Sequence, residues 1–195
     1  MPRPSRDRLL DSAVDLLQRQ GYHGTGLNEL LERSEAPRGS LYHYFPGGKE
    51  QIAVEALARV GERIRMAIAS LANVADVPAT VNAFFVHNAE RLRDSDYERG
   101  CPIATVALET SSDIERIRQV CEDVFKGWQA ALTHVFTEAG IPEDDAAALA
   151  TFVLSSYEGA LTMSRALRDI QPMLTSGAAV ASVLHGHLGE VVRAG

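Results

Sequence analysis

Hydrophobic positions recur every three or four residues along almost the whole chain. Leu9, Leu10, Ala13, Leu16 and Leu17 fall on one side of a 3.6-residue period with charges between them, and Gly21 stops the run. Leu27, Leu30 and Leu31 mark a second, short helix, with Gly26 the expected N-cap and Glu29 placed at the third helical position as in a capping box. Ala36-Pro37 breaks the pattern, and Pro37 suits the start of another helix. Leu41 and Phe45, four apart, point inward from that third helix, which Pro46-Gly47-Gly48 ends. Lys49 then opens a long helix to about Leu71.

Further on, a helix is expected from Val77 to about Ser95 with Phe84 and Phe85 inside, followed by the short apolar run "CPIATVALE". Ser112 and Glu115 read as a capping box for a long helix that buries Ile117, Cys121, Trp128 and Phe136 and stops at Ala139-Gly140. Pro142 opens another, to about Asp169, and a last one runs from about Ser176 to Arg193. No stretch alternates with period two. The expected fold is all-α, about nine helices. Two short helices joined by a tight turn and buttressed by a first read as a helix-turn-helix. The third is short, and a major groove has room for one α-helix. The expected division is a DNA-binding domain over residues 1–50 and a larger helical domain over 51–195.

The stretch "APRGSLYHYFPGGKE", Ala36 to Glu50, carries the densest chemistry. A phosphate-cradling P-loop is excluded, because Glu50 follows Gly48-Lys49 where Ser or Thr is required and His43 stands where the first Gly belongs. The formal charge of −7 argues at first against nucleic acid. Its distribution reverses that: residues 1–50 hold seven basic and seven acidic side chains, and the remainder carries the whole deficit. The N-terminal part can approach phosphate, while the acidic remainder discourages adhesion elsewhere.

Other chemistry is weakly supported. Cys101 and Cys121 form no CxxC and read as buried packing rather than a redox pair. His185 and His187, two apart on a helix, point to different sides and make no metal pair. Ser155-Ser156 lacks a nucleophile elbow, and Asp144-Asp145 suits a helix start. No catalytic group, metal or cofactor is expected. No apolar run is long enough to span a membrane, and the N-terminus lacks a signal-peptide core, so a cytoplasmic protein is expected.

The block "RLLDSAVDLLQRQGYHGTGLNELLERSEAPRGSLYHYFPGGKEQIAVEAL", Arg8 to Leu57, resembles the TetR family of bacterial transcriptional repressors. The shared pattern is helix, Gly-Tyr, Thr, helix, then Gly-Ser-Leu-Tyr-His-Tyr-Phe and a Lys-Glu opening helix four. The run "GCPIATVALE", Gly100 to Glu109, resembles the LmrA/YxaF-like subgroup. Pro37 and Gly26 depart from the family's usual hydroxyl-bearing residues and remove side-chain caps.

The resemblance implies roles. Arg38, Gly39, Ser40, Tyr42 and His43 would lie on the outer face of helix three. Arg38 would read a guanine edge, Ser40 a base, and Tyr42 a thymine methyl or a phosphate, while Gly39 would allow close backbone approach. His43 and Tyr44 would donate to phosphates, and Thr25, Gly26 and Lys49 would flank the groove. Phe84, Phe85, Asn88, Phe125, Trp128, Tyr157 and Met163 can enclose an apolar ligand or form a solid core; the resemblance favours an effector pocket. The small, apolar "AAALATFVLSSYEGALTMS" and a last helix carrying Val180, Val183, Leu184, Leu188 and Val191 read as a four-helix dimer interface, in which an Arg at Leu184 would stand unpaired. The implied protein is a homodimeric repressor that binds a double-stranded palindromic operator and is released by a small hydrophobic or aromatic effector, with helix four as the lever. An enzyme on the same scaffold, or a DNA-binding protein with a filled core, are the competing readings.

Overall fold

The computed structural model describes residues 4–110 and 114–194. Among them are nine α-helices, one short 3-10 helix and no strand, as the periodicity implies. The α-helices are α1 Ser5–Gly24, α2 Leu27–Ser34, α3 Arg38–Tyr44, α4 Gly48–Ala69, α5 Val77–Asp94, α6 Pro102–Thr110, α7 Glu115–Glu138, α8 Glu143–Leu167 and α9 Gln171–Ala194. No helix among the described residues is long and apolar enough to cross a membrane. The capping box expected at Ser112 lies outside the described residues.

The chain packs as two compact units. One comprises residues 1–63 with 101–124, the other 64–100 with 125–195. This differs from a simple cut at residue 50, because α6 packs on α1 and so joins the N-terminal helices. In the first unit Leu9, Leu10, Leu16 and Leu17 of α1 are buried with Leu30, Leu41, Phe45 and Leu57. At Gly61 a Cβ would stand 2.4 Å from Val124 Cγ2, so only glycine lets α4 meet α7 there.

Helix α1 kinks where Gly21 takes φ 71° and ψ −171°, a conformation other residues adopt at a cost. The capping box expected at α2 is replaced by other bonds. Gly26 offers no side-chain cap, and the Glu29 carboxylate accepts from Gln20 Nε2 at 2.8 Å and pairs with Arg33 at 3.3 Å. Gln20 of α1 and Arg33 thus take one carboxylate oxygen each.

In the second unit α5 packs on α8 and α9. Asp76 caps α5 by accepting from Ala79 N at 2.9 Å. Gly177 of α9 lies so close to α5 that a Cβ would stand 2.7 Å from Phe85 Cβ. Helix α9 begins at Gln171 rather than at about Ser176. Pro172 is tolerated in a first turn, and the Met173 N–H is satisfied by Ser164 Oγ at 3.3 Å. Asp96 and Tyr97 adopt left-handed φ values of 55° and 62°. Arg165 of α8 and Arg168, just past its end, hold that loop: Arg165 donates to the Glu98 carbonyl at 3.0 Å, and Arg168 pairs with Asp96 and lies 5.4 Å over the Tyr97 ring.

Candidate nucleic-acid interface

Helix α3 is held by two side chains. Leu41 and Phe45 are fully buried, and the Arg6 guanidinium lies 5.7 Å over the Phe45 ring. Pro37, at φ −58° and ψ 139°, sets the helix start. With one face so anchored, Arg38, Gly39, Tyr42, His43 and Tyr44 are left exposed and Ser40 half-buried. Tyr42 is 60% exposed, and a Cβ at Gly39 would meet nothing within 4 Å. His43 and Tyr44 stand edge to face at 5.0 Å. Arg38 donates through Nη2 to Asn28 Oδ1 of α2 at 2.9 Å. Asn28 was not singled out by the sequence, because its one signal is a contact between helices.

The flank of α3 is built at the α1–α2 turn. Thr25 is buried, and its hydroxyl donates to the Gly21 carbonyl at 2.6 Å. It therefore braces the α1 kink in the DNA-free protein and does not project as an open phosphate donor. Gly26 is exposed and starts α2 without a side-chain cap, and an uncapped helix start suits an anion. Lys49, in the first turn of α4, donates to the His23 carbonyl at 3.3 Å and lies 4.6 Å over the Tyr22 ring. Burial pulls the Lys49 pKa down, and the nearby charge of Glu109 opposes that. Burial, reinforced by the Glu50 carboxylate, pushes the Tyr22 hydroxyl up.

Known proteins give the family. Residues 9–56 match the model of bacterial regulatory proteins of the TetR family, and residues 78–179 match the C-terminal domain of LmrA/YxaF-like transcriptional regulators. The chain belongs to the TetR family of bacterial transcriptional regulators. The uncharacterized regulator YxaF of Bacillus subtilis is 37% identical over 87% of this chain and 90% of its own. The regulator LmrA of the same organism is 34% identical over 92% and 96%. A TetR regulator from Legionella pneumophila shares the fold with a TM-score of 0.83 at 18% identity, covering 93% of this chain and 98% of its own. The family consists of DNA-binding regulators and not enzymes, which settles the enzyme alternative.

The expected effector residues of this TetR-family chain divide into groups. The Tyr157 ring lies 5.1 Å from that of Phe84 and 5.4 Å from that of Phe85, and Phe125 stands edge to face with Trp128 at 5.6 Å. Trp128 and Phe85 are buried, Phe84 is exposed, and Phe125 and Tyr157 are half-buried. Asn88 Nδ2 donates to the Phe84 carbonyl at 2.8 Å, so part of its amide is turned to its own helix. Met163 departs from the expectation: it is 56% exposed, eleven residues on from exposed Phe152 and so on the same side of α8, about a third of a turn from Tyr157. An open cleft of about 320 Å³ in the same unit, between Asp76, Pro78, Ala139 and His185, includes none of the seven.

Proposed function

We propose that the chain is a cytoplasmic, ligand-responsive repressor that binds a palindromic operator as a homodimer and leaves it when a small hydrophobic or aromatic effector binds. The observation that carries the DNA part is the outer face of α3, with Arg38, Ser40, Tyr42, His43 and Tyr44 around Gly39, beside an uncapped α2 and Lys49. Arg38 reads a base edge; Gly26, through its backbone, and Lys49 hold phosphates. Thr25 contributes by bracing the turn that presents Gly26.

The dimer reading rests on the outer faces of α8 and α9. Phe152, Met163 and Leu167 of α8 and Val183 of α9 are exposed large hydrophobics, and a Cβ at Gly159 or Gly186 would meet nothing within 4 Å. Such a face with small residues at its centre suits close approach of the same two helices from a second copy. Leu184 is fully buried within the protomer, so an Arg there tests folding and not the interface. The effector reading rests on the Phe84–Phe85–Tyr157 and Phe125–Trp128 ring groups, with Asn88 as the polar neighbour; Met163 passes to the dimer face.

Titration with aromatic, flavonoid-like compounds tests the switch. An effector is expected to quench the fluorescence of Trp128, the one tryptophan of the chain, and to release an operator duplex over the same concentration range. A coupling of about 1–3 kcal/mol, a 5- to 150-fold loss of operator affinity, is the usual scale. Quenching without release makes the ring groups a binding site uncoupled from DNA, and neither response leaves a DNA-binding protein with a filled core.

A further inference from the structure

Glu109 is the one acidic residue of α6 and is half-buried, and it is not among the DNA-contacting residues above. Its carboxylate reaches the kink of α1. Oε2 accepts the backbone N–H of His23 at 3.0 Å. A Cβ built on Gly21 would stand 1.8 Å from Glu109 Oε1, so the carboxylate fills the place where any other residue would carry its side chain. The His23 carbonyl, on the other side of the same residue, accepts from Lys49 Nζ at 3.3 Å. One backbone residue is thus gripped at its N–H by an acid from α6 and at its C=O by a base from α4. The Tyr22 ring lies under the amine at 4.6 Å.

We propose that Glu109 is a positioning residue for DNA binding: by fixing His23 it sets the Lys49 amine and the α1–α2 turn in the place from which they hold the DNA backbone. The proposal rests on the reading of Lys49 as a phosphate contact. The chemistry favours a carboxylate here over a neutral acceptor. A charge-assisted hydrogen bond is about twice as strong as a neutral one, and the negative charge offsets the cost of partly burying the lysine. Glu109 also stays off the phosphate itself, because its oxygens are turned to the α1 kink. A carboxylate presented to the DNA would repel it, and one held behind the turn supports the cation that faces it.

The test pairs Glu109→Ala and Glu109→Gln with Lys49→Ala in the full-length protein on one operator duplex. Glu109→Ala is expected to weaken binding by about five- to tenfold and to lower the slope of log affinity against log salt by about one, the share of one phosphate contact. Adding Lys49→Ala to it is expected to change neither quantity further, and Glu109→Gln, which keeps the shape and an acceptor, is expected to fall between. If Glu109→Ala lowers Tm but leaves the salt slope intact, or if its effect and that of Lys49→Ala add, Glu109 is only a structural pin and the proposal is overturned. A second arm needs no DNA. In the Glu109→Gln protein the Lys49 amine, followed by NMR, is expected to titrate at lower pH than in the wild type, and an unmoved titration overturns the proposal. If the titration moves while Lys49→Ala binds the operator as the wild type does, the grip on the amine stands and the assignment of Lys49 to the DNA backbone is what falls.

Discussion

Helices α3 and α8 both leave large side chains in solvent, but of different chemistry. On α3 the exposed aromatics are Tyr42 and Tyr44, each with a hydroxyl at its tip, next to Arg38 and His43. On α8 the exposed large side chains are Phe152, Met163 and Leu167, with no polar atom beyond a thioether. A face that must exchange water for phosphate oxygens and base edges needs donors at its outermost atoms. A face that must exchange water for a second protein needs none at its centre, and small residues there let backbones approach. Exposure alone therefore says only that something belongs on a surface, and the tip atoms say what.

The strongest way to break this contrast is a charge on the α8 face. Met163→Arg is expected to leave the protomer fold in place, since Met163 is exposed, and to cost the dimer about 3–5 kcal/mol through an unpaired buried charge. Sedimentation velocity at micromolar concentration is expected to show a dimer for the wild type and a monomer for the variant, and operator affinity should fall with the loss of paired half-sites. A variant that sediments as the wild type does would make the apolar face of α8 something other than the dimer contact.

The next largest effect lies on α3. Arg38→Ala is expected to cost about 1–3 kcal/mol and to relax preference at a single base pair. Competition gel shifts with duplexes substituted one base pair at a time check both parts. A loss of equal size on every duplex would move Arg38 from base reading to the backbone. The hydrogen bond from Arg38 to Asn28 makes the direction of the guanidinium a property of α2 as well as α3.

Much of the head was legible because its pattern is local. Leu41 and Phe45 four apart fix which side of α3 is inside, and Pro37 and the Pro46-Gly47-Gly48 run fix its ends. Once those are given, the outer residues follow by subtraction. What was not legible depends on partners distant in sequence. Glu109 reads as the polar end of an apolar segment until α6 is placed on α1, and the hydroxyl of Thr25 points inward only because Gly21 kinks the helix before it. In α8 the difficulty is different. Its sequence is apolar or small on nearly every side, so periodicity marks no boundary between its covered face and its exposed one. Met163 is 56% exposed and Leu184 fully buried within the protomer, and the run of apolar and small residues marks neither.

The smallest change that sharpens the contrast removes one atom. Tyr42→Phe keeps the ring, its exposure and its van der Waals surface, and takes away only the hydroxyl, so it separates the two roles open to this side chain. If the ring packs on a thymine methyl, the hydroxyl is idle and affinity is unchanged. If the hydroxyl donates to a phosphate, the loss is that of a hydrogen bond to a charged acceptor, about 1.5–3 kcal/mol at most and less where water takes over. The 60% exposure of Tyr42 in the DNA-free protein favours the phosphate. The expected outcome is therefore a modest weakening of the same size on every operator sequence, with dimerisation untouched, measured by fluorescence anisotropy on a labelled duplex. A loss confined to duplexes with thymine at one position would place the ring in the groove, and no loss would mean that the α3 face works through Arg38 and its shape rather than through the polar tips of its tyrosines.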